Sequence, residues 1–219
     1  MDTRSSFHKS IDNLQVDLLK MGALVEETIY QAVKSLADMD VALAKKTIKQ
    51  DDQIDDMMLS IEDQCLRLIA LQQPMASDLR MIGTAMKIVT DLERIADHAV
   101  DIAKTTVRLS GETLVKPLID IPKIANLVMQ MLHVALRAYV ERDIRLCESL
   151  AEKDDEVDAL YSRVFQEIIE LMGTNVSSNR QLTHLLMVAR HLERVGDHAT
   201  NIGEWVIFMI NGQRIDLNP

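Results

Sequence analysis

Apolar residues recur every three or four positions along almost the whole chain, the mark of amphipathic helices. Ile11, Leu14, Leu18, Met21, Val25, Ile29, Ala32, Val33 and Leu36 form one stripe and predict a helix over residues 4–39. Asp40 reads as the N-cap of a second helix over 41–71, because a short carboxylate accepts from the free N–H groups of a first turn. Leu43, Ile48, Ile54, Met58, Ile61, Leu66 and Ile69 line that helix, and Pro74 ends it. Ser77 is the expected cap of a third helix over 78–109, striped by Ile82, Ala85, Val89, Leu92, Ala96, Ala99 and Ile102. Ser110 and Gly111 stop it. Residues 112–122, with Pro117 and Pro122, read as a linker.

The plan then repeats. A fourth helix is expected over 124–140, and a fifth from an Asp143 cap to residue 172. Gly173, Thr174 and Asn175 make a break, and a sixth helix over 178–210 ends at Asn211 and Gly212. Ala32 aligns with Ala135, and Asp40 with Asp143. In the third and sixth helices, Leu92-Glu93-Arg94-Ile95-Ala96-Asp97-His98-Ala99 aligns with Leu192-Glu193-Arg194-Val195-Gly196-Asp197-His198-Ala199, identical at six of eight positions. The chain is a duplication. The offset is 103 residues in the first two helices of the unit and 100 in the third, so the loop at 72–74 is expected to be about three residues longer than its counterpart. Helices of about 30 residues are about 45 Å long, and short loops force them antiparallel. The expected fold is all-α: two tandem, duplicated up-down-up three-helix bundles, residues 1–112 and 113–219, in an elongated molecule.

Composition narrows the function. Aromatics are 3% of the chain while methionines number 13, so the core is aliphatic and soft. The net charge of −10 argues against nucleic acid, whose phosphates need a basic face, and permits cations. Cys65 and Cys147 lie in helical stretches without zinc spacing and read as buried reduced thiols of a cytoplasmic protein. No signal peptide is expected. No apolar run approaches a membrane span; the longest, residues 205–210, reads as a helix end packed on a partner. Trp205 is a candidate contact between subunits, with core packing the equal alternative.

The acidic residues carry the candidate chemistry. Each unit has two carboxylate pairs at i, i+4: Asp51/Asp55 and Glu93/Asp97, then Asp154/Asp158 and Glu193/Asp197. The second row runs on to Asp101 in one unit and Asn201 in the other. Like charges four apart on a helix repel, and a bound cation is one compensation; hard ions such as Mg²⁺, Mn²⁺ and Ca²⁺, and non-haem iron, take carboxylate oxygens. The other is a solvated acidic face with Arg94 and Arg194 as counter-ions. Whether the pairs on neighbouring helices share a level is left open by the spacing. His98 and His198 lie one position off the acidic face and read as packing or supporting residues. His8, His133, His184 and His191 have no histidine counterpart and read as surface or packing residues.

These doubled Glu/Asp-x-x-x-Asp motifs, their flanking words, and Arg80 and Arg180 near the helix starts make the chain resemble the PhoU family of bacterial phosphate-signalling regulators. The resemblance covers the whole chain. It implies a cytoplasmic, non-enzymatic adaptor that restrains high-affinity phosphate uptake and the phosphate-starvation response. The implied partners are the phosphate ABC transporter, through its ATPase subunit, and a sensor histidine kinase, with the membrane reached only through them. A homodimer is implied, and no nucleic acid. The implied cofactors are metal ions in multinuclear clusters, iron or zinc first and manganese or magnesium as alternatives. The implied ligands are Asp51, Asp55, Glu93, Asp97, Asp101, Asp154, Asp158, Glu193, Asp197 and Asn201. Asn201, a neutral amide where the first unit has Asp101, departs from the pattern. The alternatives are a metal-independent helical interaction module and a metal-dependent phosphoester hydrolase.

Overall fold

The computed structural model describes residues 3–218. Six α-helices follow one another: α1 Thr3–Ala37, α2 Val41–Gln72, α3 Ser77–Arg108, α4 Asp120–Glu141, α5 Ile144–Thr174 and α6 Asn179–Asn211, with a 3₁₀ turn Val176–Ser178 ahead of α6. There is no strand among the described residues. The duplicated caps form as expected. Asp40 Oδ1 accepts from the N–H groups of Ala42 and Leu43, both at 2.9 Å, and Asp143 Oδ1 from that of Arg145 at 2.8 Å. Gly212 closes α6 in the left-handed conformation at φ +75°, where a side chain is strained, and its N–H donates to Phe208 O at 2.8 Å.

Four boundaries differ from expectation. Ser77 is not a cap: Ala76 precedes α3, and no side chain bonds its first turn. The break at residues 173–175 shrinks to Asn175, because α5 runs on through Thr174. Helix α4 begins at Asp120, with Pro122 in its first turn, where a missing N–H costs nothing. The loop after α2 is no longer than its counterpart; both connections hold four residues, 73–76 and 175–178. The spacing difference lies in the helices, since α5 has 31 residues where α2 has 32, and α6 reaches its motif sooner than α3 does.

Helices α1–α3 form one bundle and α4–α6 the other. The α1 stripe of Leu14, Leu18, Met21, Val25, Ile29, Ala32 and Leu36 is wholly buried, and each large aliphatic side chain so placed stabilises by about 1.5–3 kcal/mol. The bundles lie side by side, with α3 along α6 and α1 against α4, and share one continuous core. At Gly22 of α1 the second bundle comes so close that an added Cβ would stand 2.4 Å from Leu136 Cδ1. The larger seam pairs α3 with α6, antiparallel. Ile88, Ile95 and Ile102 on α3, and Val188, Val195 and Ile202 on α6, are fully buried and recur every seven residues, the repeat of a two-helix seam.

Polar contacts set the register of that seam. Thr84 Oγ1 donates to Trp205 O at 3.3 Å, His198 Nδ1 lies 2.9 Å from Asp91 Oδ1, and His98 Nδ1 lies 3.3 Å from His191 Nδ1. Arg80 Nε donates to Met209 O at 3.4 Å, and Arg180 Nη2 to Arg108 O at 3.2 Å. Each of these arginines, near the start of one helix, covers a last-turn carbonyl of the other, where a cation is favoured. Trp205, a candidate contact between subunits on sequence, sits in this seam, with Lys87 and Arg214 at 5.4 and 5.2 Å from its ring centre. The linker is tied down by α6. Gln181 Oε1 accepts from Val115 N at 2.6 Å, and Arg180 meets Glu112 at 2.7 Å. Cys65 and Cys147 are buried free thiols, both pushed up to about 12 chiefly by burial.

Candidate metal centre

The antiparallel run of α2 against α3, and of α5 against α6, brings the carboxylate pairs to one level in each unit. In the first unit, burial raises the Asp51 carboxyl, and the charges of Asp55 and Asp97 raise it further while Lys104 opposes. Glu93 is raised by burial, then by Asp97, Asp55 and Asp51, with Arg94 opposing. The second unit repeats this more strongly. Burial, then Asp197 and Asp158, lift Asp154 to about 6. Burial, then Asp197, Asp158 and Asp154 against the pull of Arg190, lift Glu193 to about 7. Asp197 is raised by burial, with Arg190 opposing. Carboxylates held above their ordinary range by burial and by one another are crowded with negative charge.

The two sites are not copies. Asp154 is 4% exposed and Glu193 8%, whereas Asp51 and Glu93 are half-buried. For Asp154 the difference traces to two positions on α6. Gly196 leaves room for Asp154, whose Oδ1 would stand 3.2 Å from an added Cβ, and Thr200 Oγ1 donates to that oxygen at 3.4 Å. The first unit has Ala96 and Val100 there, so Asp51 gains neither the space nor the donor. The counter-ions differ as well. Arg94 bonds Glu93 at 3.5 Å and Asp97 at 3.3 Å along α3, as expected of a local partner. In the second unit it is Arg190, not Arg194, whose Nη1 donates to Glu193 Oε1.

Asp101 and Asn201 lie one helical turn beyond Asp97 and Asp197 on α3 and α6. Asp101 Oδ1 accepts from Lys104 Nζ at 3.1 Å. Asn201 lines a pocket with Glu204, Trp205, Phe208, Arg214 and Ile215.

The donor set of the second unit fits a cation. Glu193 Oε2 is buried with no hydrogen-bond partner, a costly state for a carboxylate oxygen that a metal ion would relieve. Among the described residues no three His, Cys, Asp or Glu side chains already converge on one ion. Ligation therefore requires Asp154, Asp158, Glu193 and Asp197 to close inward, and Asp51, Asp55, Glu93 and Asp97 likewise. Such an ion would supply the positive charge that the facing rows lack.

Residues 18–106 and 121–206 each match the family model described as the PhoU domain. The chain belongs to the PhoU family. It is 45% identical over 217 residues to the "Phosphate-specific transport system accessory protein PhoU homolog" of Clostridium acetobutylicum, covering 99% of each chain. The protein of that name from Aquifex aeolicus is 38% identical, over 94% of this chain and 93% of its own. The crystal structure of PhoU from Pseudomonas aeruginosa superposes with a TM-score of 0.89 at 36% identity, covering 94% of this chain and 100% of that one. The phosphate transport system regulatory protein PhoU from Streptococcus pneumoniae gives 0.89 at 33% identity, over 96% and 99%. No helix among the described residues is long and apolar enough to cross a membrane.

Within this PhoU-family fold, the second site draws on four residues to which the acidic pattern does not point: Arg190, Tyr161, Gly196 and Thr200. The signal was present as mismatch. Each differs from its aligned partner (Thr90, Met58, Ala96 and Val100), so the matching positions of the repeat do not mark them. His191, which reads from the sequence as a surface or packing residue, packs against His98 in the seam. Its counterpart is Asp91, and both face the histidine that follows the motif Asp of the other unit.

Proposed function

We propose that this chain is a metal-binding, non-enzymatic accessory protein that restrains phosphate uptake and the phosphate-starvation response. The relatives are named as accessory proteins of a phosphate-specific transport system, which supports the transporter as one partner; the contact is with its ATPase subunit. The sensor histidine kinase of the same response is the second. The protein works in the cytoplasm as a homodimer and meets the membrane only through these partners. Asp51, Asp55, Glu93 and Asp97 hold metal in one unit, and Asp154, Asp158, Glu193 and Asp197 in the other. Asp101 and Asn201 are the outer members of the two rows, and iron or zinc is the preferred ion.

One observation carries the metal reading: the buried, unpartnered Glu193 Oε2 within a cluster of like charge. Elemental analysis of freshly purified protein tests it. Bound iron or zinc should be lost when Glu93, Asp97, Glu193 and Asp197 are all changed to alanine. Full metal content in that fourfold variant would remove these residues from the assignment. The pairing of Arg94 with Glu93 and Asp97 favours a second reading, in which the acidic rows are neutralised internally and serve as a metal-free docking face. Metal-free protein that captures the transporter ATPase subunit at low salt and releases it at high salt would support that reading.

A further inference from the structure

The two acidic sites derive from one motif, yet only the second has an arginine laid across both of its walls. Arg190 Nη1 donates to Glu193 Oε1 on α6, and the guanidinium carbon lies 5.9 Å from the centre of the Tyr161 ring on α5. Tyr161 follows Asp158 by three residues and so shares its helix face. In the first unit the equivalent positions hold Thr90 and Met58, and the Thr90 hydroxyl turns back to Met86 O at 2.9 Å. The cation there is Arg94, which bonds only residues of its own helix.

Glu193 is thereby half-engaged. One oxygen accepts from Arg190, and the other is buried with no partner. A metal ion that took both oxygens would stand against the guanidinium, and two cations at that separation repel. We propose that Arg190, clasped between Glu193 and Tyr161, is the resident cation of the second acidic site, which an entering metal ion must displace. The clasp weakens metal binding at this site relative to the same carboxylates without it. Its release converts filling of a half-enclosed site into a change at the surface, where Arg190 is 46% exposed. The inference rests on the metal-binding reading given above.

The test is a calorimetric Zn²⁺ titration of the full chain carrying Glu93→Gln and Asp97→Asn, which cripples the first acidic site and leaves the second complete. It is run at about pH 8, where protons compete little with metal for carboxylates. Arg190→Gln should tighten Zn²⁺ binding by about tenfold, the equivalent of one charge-assisted hydrogen bond. Arg194→Gln removes the same charge without touching the clasp and should change affinity by less than about twofold. Tyr161→Leu should tighten binding part of the way, and Tyr161→Phe, which keeps the ring face, should match the parent. With 3-fluorotyrosine incorporated, the Tyr161 fluorine resonance should move when Zn²⁺ is added to the parent. In Arg190→Gln it should start near the moved position.

Equal affinity of parent and Arg190→Gln overturns the clasp and leaves the metal reading standing. An equal gain from Arg194→Gln also overturns it, since the effect is then only general charge. Absence of Zn²⁺ binding in both the parent and Arg190→Gln overturns the metal reading and the clasp together.

Discussion

His98 Nδ1 and His191 Nδ1 face each other at 3.3 Å across the seam between α3 and α6, and the aligned pair from the other side of the duplication is Asp91 with His198 at 2.9 Å. The same geometric position is thus filled once by a carboxylate–imidazole pair and once by two imidazoles. The difference has electrostatic consequences. Burial holds His98 down to about 4, helped by the charge of Arg194 and by the two neighbouring histidines, and the same burial lowers His191. His98 Nε2 has no hydrogen-bond partner.

Replacing His191 with Asp would copy the better pair into the poorer position. His191→Asp should raise the His98 value from about 4 toward or above the ordinary histidine range and stabilise the fold near neutral pH by about 1 kcal/mol. Proton NMR titration of His98 and a denaturant midpoint check both parts. A His98 value left unmoved would show that the two side chains are not coupled as the geometry requires.

Acid should loosen the seam of the unaltered protein. A histidine whose folded value is depressed favours the fold in its neutral form. Its contribution is intact above the unfolded value of about 6.5 and is lost as pH falls toward about 4. The loss is on the order of 3 kcal/mol once both values are passed. His98→Gln removes this group, so its stability should fall less steeply between those two pH values. Parallel slopes in the two urea-denaturation series would contradict the assignment.

The second acidic site should show the opposite dependence without metal. Glu193 and Asp154 are raised to about 7 and about 6. Their contribution to stability is present below the ordinary carboxylate range and is lost as pH rises through those values. Metal and protons then compete for the same oxygens, and Zn²⁺ affinity should climb across that window. Glu193→Gln should stabilise the metal-free protein at about pH 8 by about 1 kcal/mol while weakening its metal binding. Thermal melts with chelator present and with added Zn²⁺ read both effects.

The duplicated caps offer a structural check. Asp40→Ala and Asp143→Ala should each cost about 1 kcal/mol. The caps open different helices in different bundles, so the double variant should lose the sum to within about 0.5 kcal/mol. A double loss much smaller than the sum would mean that one bundle unfolds without the other.

Much of this was legible along the chain. Hydrophobic spacing and the Asp40 and Asp143 caps defined the helices, because those signals are local and act within a turn or two. The repeated octapeptide announced two like units, and the four carboxylate pairs announced where charge gathers. Local pattern misled at Ser77, where a good capping residue lies inside the helix, and at the loop after α2, where a spacing difference carried by the helices looked like an insertion.

Tertiary structure decided the rest. Periodicity says which face of a helix is buried but not against what, so the sequence was silent on α3 facing α6 and on the polar layers that set their register. Carboxylates on separate helices share a level only once packing sets the stagger between the rods, and that stagger turned two rows into one cluster per unit. The inequality of the clusters is also a property of packing. Gly196 and Thr200 matter because Asp154 lies against them, and Arg190 because Tyr161 stands across the groove. A side chain's partner more than a turn away depends on the path of the whole backbone, which no local pattern encodes.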